Sequence, residues 1–227
     1  MTNLLFDLDG TLYDFKATEK IALGVVFSHY GITFNEENFA LYEKGNHYLW
    51  DQYEKGGITQ DYINHERFNM LFKALGINAD GIEAGEMYTD NLAKNGILLP
   101  GALEFLNWLD TQKESYTSYI ITNGIPKTQH GRLDNSNTRH FYRDIFISGE
   151  MGVQKPHKAF FDKVFLTAGI TAEDSIVIGD TEKSDIQGAV NSGIRSIYIN
   201  FNGEKSDLAT WSVSSFDELK SLLLDLE

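Results

Sequence analysis

The chain is 227 residues long, with 42% hydrophobic residues, a formal net charge of −14 and no cysteine. The missing thiols exclude disulfides, thiolate nucleophiles and thiolate metal sites, while the apolar content is enough for a folded core. The acidic balance, without a cluster of lysine and arginine, argues against a nucleic-acid polymer as partner.

No apolar run approaches the roughly 20 residues of a membrane span. Asp7 and Asp9 fall where a secretion signal needs an apolar core. The expectation is a cytoplasmic protein of one large or two small domains, without a membrane partner, as a monomer or homodimer.

The first element is an apolar run, Leu4-Leu5-Phe6, that reads as a buried strand and ends in Asp7-Leu8-Asp9-Gly10-Thr11. Two carboxylates one residue apart repel unless a cation or a shared proton compensates. From Phe15 to about Asn95 the pattern is helical. One helix covers Ala17 to Tyr30, and a second, capped by Asn35, runs towards Glu54. A third covers Thr59 to Leu75 and a fourth Ile82 to Lys94, each closed by glycine or Asn-Gly.

Leu99-Pro100-Gly101 starts a return to the first strand's domain, with a helix carrying Leu103, Phe105, Leu106 and Leu109. Strands and helices then alternate. The strands are Ser118 to Thr122, Ile145 to Ser148, Ile176 to Asp180 and Ser196 to Asn200. The helices are Pro126 to about His140, Pro156 to Ala168 with proline in its first turn, and Asp185 to Asn191. Ser215-Phe216-Asp217-Glu218 is a capping box for a last helix to about Leu224. Near-continuous apolar strands alternating with helices predict an α/β fold, a doubly wound parallel sheet with a Rossmann-like core and an inserted four-helix cap. The core is expected at 1–14 and 98–227, the α-helical cap at 15–97.

In such a sheet the C-terminal strand ends face one crevice. Here those ends carry Asp7 and Asp9, Thr122-Asn123-Gly124, Lys155 after the next strand, and Asp180 with Asp185 five residues on. Together they are an inventory for holding Mg2+ and a phosphoryl group at once. Magnesium takes oxygen ligands, and Asp7, Asp180 and the backbone carbonyl of Asp9 can supply them. Asp7 is the expected nucleophile, through an aspartyl-phosphate, and Asp9 the acid and base. Thr122 and the N–H groups near Asn123 and Gly124 are expected to hold phosphoryl oxygens, and Lys155 to neutralise charge in the transition state. Asp185 is expected behind these, orienting Lys155 or a metal-bound water.

These four motifs resemble those of the haloacid dehalogenase (HAD) superfamily of phosphohydrolases. That pattern is DxDGT, then Thr or Ser after an apolar strand, then Lys (often Lys-Pro), then GDxxxxD. All four are present here, over nearly the whole chain. The resemblance implies a cap that opens and closes over the crevice on hinges near Asp14-Phe15 and Gly96-Leu99. Leu49-Trp50-Asp51-Gln52-Tyr53, Gly57-Ile58-Thr59, Gly179 to Ile186 and Ser212 to Ser215 further resemble the noncanonical pyrimidine 5′-nucleotidase branch. That narrower resemblance implies a nucleoside monophosphate, a small anionic phosphate ester, as substrate.

The cap is rich in aromatic residues: Tyr42, Tyr48, Trp50, Tyr53, Tyr62, Phe68 and Phe72. Most read as cap core. Trp50, with Asn46, His47 and Asp51 near it in sequence, is the favoured residue for stacking on a base, and Asn46 is a candidate for its polar edge. Arg67 reads as a solvated helix face in preference to a phosphate or base contact. The histidines follow no metal-ligand spacing. The alternatives are a phosphatase or mutase acting on sugar phosphates or other small phosphate esters, a dehalogenase, or a non-catalytic binding protein. Asp9 and Asp180 argue against a dehalogenase, which needs neither a second acid nor a metal.

Overall fold

The computed structural model describes residues 1–226. By its packing the chain divides into two compact units, one of residues 1–15, 97–126 and 136–227, the other of residues 16–96 and 127–135.

The first unit is built on a six-stranded sheet in which every pairing is parallel. Its strands are β1 (Thr2–Phe6), β2 (Tyr116–Thr122), β3 (Asp144–Ile147), β4 (Ser175–Gly179), β5 (Arg195–Ile199) and β6 (Trp211–Val213), in the spatial order β3-β2-β1-β4-β5-β6. That order places β1 between β2 and β4, with Phe6 opposite Ile120 on one side and Ile178 on the other. The strands read as continuous apolar runs because both faces are covered. Leu5, Tyr119, Ile121, Phe146 and Val177 pack against Phe160, Phe161 and Val164 of one helix and Ala189 of another. The alternate side chain Phe6 meets Phe105, which stacks on Phe216.

The helices in chain order are α1 (Phe15–His29), α2 (Glu36–Glu54), α3 (Gln60–Leu75), α4 (Gly81–Lys94), α5 (Ala102–Asp110), α6 (Pro126–Asn135), α7 (Ser148–Met151), α8 (Lys158–Ala168), α9 (Gln187–Ser192) and α10 (Phe216–Asp225). Two expected caps form: Asn35 accepts from the Asn38 amide and Ser215 from that of Glu218; Thr59, expected inside its helix, also caps it by accepting from the Tyr62 amide. No described helix is long and apolar enough to cross a membrane.

Helices α1 to α4 form the second unit. Helix α6, expected with the sheet, belongs with them. Asn135 donates to the Ala93 carbonyl at 3.0 Å, and Lys127 pairs with Asp90. The chain segments that lead out of and back into the first unit lie side by side. Asp14 donates to Ile97 and Leu99 to Leu12 through their backbones.

Four sequence expectations need correction. Helix α6 ends at Asn135 and not near His140, because Asn137 takes a left-handed conformation with φ of 54°. Helix α8 begins at Lys158, so Pro156 precedes it, and the chain there is turned by the His157 amide donating to Gln154. The segment after β4 is a π-helical turn, Glu182–Ile186, before α9. Strand β6 was not expected; three residues are too few to show alternation.

Candidate active site

Asp7 is the first residue beyond β1, and its amide extends the ladder by donating to the Ile178 carbonyl of β4. Asp180 is the first residue beyond β4. Neighbouring parallel strands thus deliver two carboxylates to one place. Thr122 ends β2 on the other side of β1. Lys155 arrives from the segment between α7 and α8, and Asp185 from the π-helical turn.

Two glycines let these groups close up. A Cβ on Gly10, whose φ is 85°, would stand 2.2 Å from an Asp180 carboxylate oxygen. A Cβ on Gly179 would stand 2.3 Å from an Asp185 oxygen. Any side chain at either position would push a carboxylate out of the site.

Lys155 is 1% exposed and uses all three of its ammonium protons. It donates to Asp7 Oδ1 at 2.7 Å, to Asp185 Oδ1 at 2.6 Å and to the Ile121 carbonyl at 2.8 Å. Burial alone would lower its pKa, but the Asp185 and Asp7 charges outweigh that and hold it above the ordinary lysine range. Asp185 is fully buried; its second oxygen accepts the Thr181 amide at 3.1 Å. With both oxygens engaged it fits the part of an orienting group. Asp180 accepts from the Thr11 hydroxyl at 3.3 Å.

Asp7, Asp180 and Asp185 each place a carboxylate oxygen within 4.8 Å of the others. Burial first, then Asp185, Asp180 and Asp9, push the Asp7 carboxyl well above the usual carboxylate range, against the opposing pull of Lys155. Burial and then Asp185 push Asp180 up to about 7. One buried lysine does not balance three clustered acids. An excess of negative charge on hard oxygen donors is what a divalent cation such as Mg2+ relieves.

A measurable consequence follows from the sign of these shifts. A divalent cation held by Asp180 would compete there with a proton, which leaves as pH rises through about 7. Magnesium at a hundredfold excess over its Kd is expected to stabilise the protein by about 2.7 kcal/mol. The concentration needed for that should fall between pH 6 and pH 8 in thermal melts. Chelation should stop turnover reversibly. An affinity independent of pH would remove Asp180 from the metal site.

The other residues expected at the crevice fall into two groups. The Gly124 amide donates to Thr122 Oγ1 at 3.0 Å, so the hydroxyl is oriented by its own loop. Asn123 was expected to offer only its N–H; its carboxamide pairs with the Lys155 backbone, a contact that spacing does not reveal. Asp9 is half-buried in the turn after β1, where Leu8 between the two acids is buried.

In the helical unit the picture differs from expectation. Asn46 is buried, and its Oδ1 accepts from Arg67 Nη1 at 3.3 Å. Arg67 is 2% exposed and does not lie on a solvated face. Its Nε donates to the Ile63 carbonyl, and its guanidinium lies 4.9 Å from the Tyr88 ring centroid. Buried Glu19, accepting from Tyr42 and Tyr88, supplies opposite charge nearby. The signal was available: Ile63, Arg67 and Leu71 recur at a spacing of four, which puts Arg67 on the apolar face of α3. Trp50 is half-buried and packs edge-on against Tyr53, at 5.6 Å.

The chain matches the family model of the haloacid dehalogenase-like hydrolases over residues 4–199. It is 34% identical over 224 residues to the pyrimidine 5′-nucleotidase PynA of Streptococcus pneumoniae, covering 97% of this chain and 94% of that protein. It is 33% identical over 224 residues to the pyrimidine 5′-nucleotidase YjjG of Escherichia coli, covering 97% and 96%. The crystal structure of the YfnB protein of Bacillus subtilis bound to magnesium superposes with a TM-score of 0.91 at 33% identity, over 98% of each chain.

Proposed function

The chain belongs to the haloacid dehalogenase-like hydrolase family and is a phosphoric monoester hydrolase, and from that premise we propose that it is a Mg2+-dependent 5′-nucleotidase for pyrimidine nucleoside monophosphates, including noncanonical ones. The observation that carries the reading is the buried Lys155, hydrogen-bonded to Asp7 and Asp185, with the half-buried Asp180 placing a carboxylate oxygen within 4.8 Å of theirs. Near-full-length likeness to two pyrimidine 5′-nucleotidases supports the choice of substrate.

Asp7 and Asp180, with the Asp9 carbonyl, would hold the cation, which when bound supplies positive charge against the phosphoryl oxygens. Asp7 Oδ1 accepts from the Lys155 ammonium group, which fixes the carboxylate and leaves Oδ2 to attack phosphorus. The phosphorus–oxygen bond of the ester breaks, and Asp9 gives its proton to the leaving nucleoside oxygen. Asp9 then takes a proton from water as that water attacks the phosphorus of the aspartyl-phosphate. Inorganic phosphate leaves and the Asp7 carboxylate is restored. Lys155 and the Thr122 hydroxyl offset the charge that builds on the phosphoryl oxygens.

Residues 15–97, as the cap, are assigned the choice of substrate, with Trp50 as the stacking residue. Asn46 is kept only as a residue near it in sequence, since its carbonyl oxygen is taken by Arg67. The test is a phosphate-release screen across nucleoside monophosphates, sugar phosphates and small aryl phosphates, repeated with Trp50→Ala. Pyrimidine monophosphates should lead the screen. Trp50→Ala should raise their KM on the order of 10-fold, as loss of one stacking contact does, and leave that for the aryl phosphate unchanged. A screen led by sugar phosphates would overturn the substrate assignment, and equal effects of Trp50→Ala on all esters would remove Trp50 from it.

A further inference from the structure

Lys155 reaches Asp7 by an indirect route. It follows β3, an edge strand, while Asp7 follows β1, and β2 lies between them. The lysine must therefore be carried across the tip of β2. Its own segment is poorly suited to hold it there, since α7 has only one turn and α8 begins three residues later at Lys158.

The contacts that hold it come from β2. The Asn123 Nδ2 donates to the Lys155 carbonyl at 2.9 Å, and the Lys155 amide donates to Asn123 Oδ1 at 2.9 Å. Just before them, the Ile121 carbonyl accepts from Lys155 Nζ at 2.8 Å. The tip of β2 thus grips both ends of the lysine, its peptide and its ammonium group. A reciprocal pair needs one donor and one acceptor at the end of a short stem, which among side chains asparagine supplies. Aspartate would keep the acceptor and set a carboxylate against a carbonyl oxygen. Both polar atoms of the carboxamide face Lys155.

We infer that Asn123 is a positioning residue, whose carboxamide clamps the Lys155 peptide and thereby aims the ammonium group at Asp7. This rests on the proposed role of Lys155 in phosphoryl transfer. A displacement of about 1 Å at a reacting group can cost on the order of 100-fold in rate, so the clamp is a place where a change outside the reacting atoms should register in kcat.

The test is a double-mutant cycle with Asn123→Ala and Lys155→Ala, reading kcat for an aryl phosphate and thermal stability. Lys155→Ala removes the ammonium group but keeps the peptide that Asn123 holds. Asn123→Ala should therefore lower kcat on the order of 10- to 100-fold in the wild-type background. In the Lys155→Ala background it should change kcat less than about 2-fold, while the melting temperature falls in both. Equal losses of kcat in the two backgrounds would mean that Asn123 acts on substrate or on the fold and not through Lys155, and would overturn the inference. So would an Asn123→Ala enzyme with wild-type kcat. If Lys155→Ala itself turned over normally, the assigned role of Lys155 would fail, and the inference with it.

Discussion

Asp7→Asn should abolish turnover and leave the fold in place. Asparagine is nearly the same size, and its side-chain oxygen can still accept from Lys155, as Asp7 Oδ1 does at 2.7 Å. What it lacks is the anionic oxygen that attacks phosphorus. Loss of the nucleophile in an enzyme of this kind costs on the order of 10⁴ or more in kcat. Stability should move the other way. Asp7 sits buried beside Asp180 and Asp185, and burial raises its pKa above the unfolded value. A carboxyl raised in this way weakens the fold as pH climbs above its unfolded pKa. Removing its charge should therefore raise the melting temperature of the metal-free protein at pH 8 and change it little at pH 4. A rapid acid quench should find phosphate bound to the wild-type protein and none on Asp7→Asn. Near-normal turnover of any phosphate ester by the variant would end the nucleophile assignment.

The pattern of strand ends makes much of this legible in the sequence. Asp7, Thr122 and Asp180 each terminate an apolar run, and a run that ends in turn chemistry states its own boundary. Parallel pairing then brings those ends together, a consequence of topology and not of any one residue. The caps at Asn35 and Ser215 were legible for the same local reason. What was not legible is the chemistry of contacts made across long separations. Asn123 and Lys155 are 32 residues apart, and nothing in either neighbourhood announces a bond between a carboxamide and a peptide. The transfer of α6 to the helical unit is of the same kind. Its sequence is that of an ordinary helix after β2, and only its contacts with α4 decide where it belongs. Arg67 failed for a different reason. Arginine is rarely buried, and that prior outweighed a spacing that placed it inside. The Tyr88 ring, the Asn46 oxygen and the Glu19 charge make its burial tolerable, and they come from three other helices.

Lys155→Met is expected to be the most destabilising single change in the site. The lysine is the cation shared by Asp7 and Asp185, both nearly or wholly buried. Methionine fills a similar volume, so the loss is electrostatic and not a cavity. Breaking a buried pair by removing one partner costs about 3–5 kcal/mol, because the remaining charge stays uncompensated. For a chain of this size that is roughly 6–20 °C in melting temperature. The pH dependence carries the sign. Lys155 lowers the Asp7 pKa, so without it the Asp7 carboxyl rises further above its unfolded value. The penalty should be small near pH 3, below the unfolded value of 3.8, where Asp7 is mostly protonated in folded and unfolded chains alike, and full at pH 8. Melts in chelator at the two pH values measure it directly. Adding Asp185→Asn to Lys155→Met removes one of the stranded charges and should recover part of the stability. It should not recover activity, since the phosphoryl oxygens would still lack their cation, a loss on the order of 10²–10³ in kcat. A Lys155→Met protein as stable as wild type at pH 8 would show that the network contributes nothing to the fold. Full recovery of turnover in the double variant would show that Lys155 serves only to neutralise Asp185.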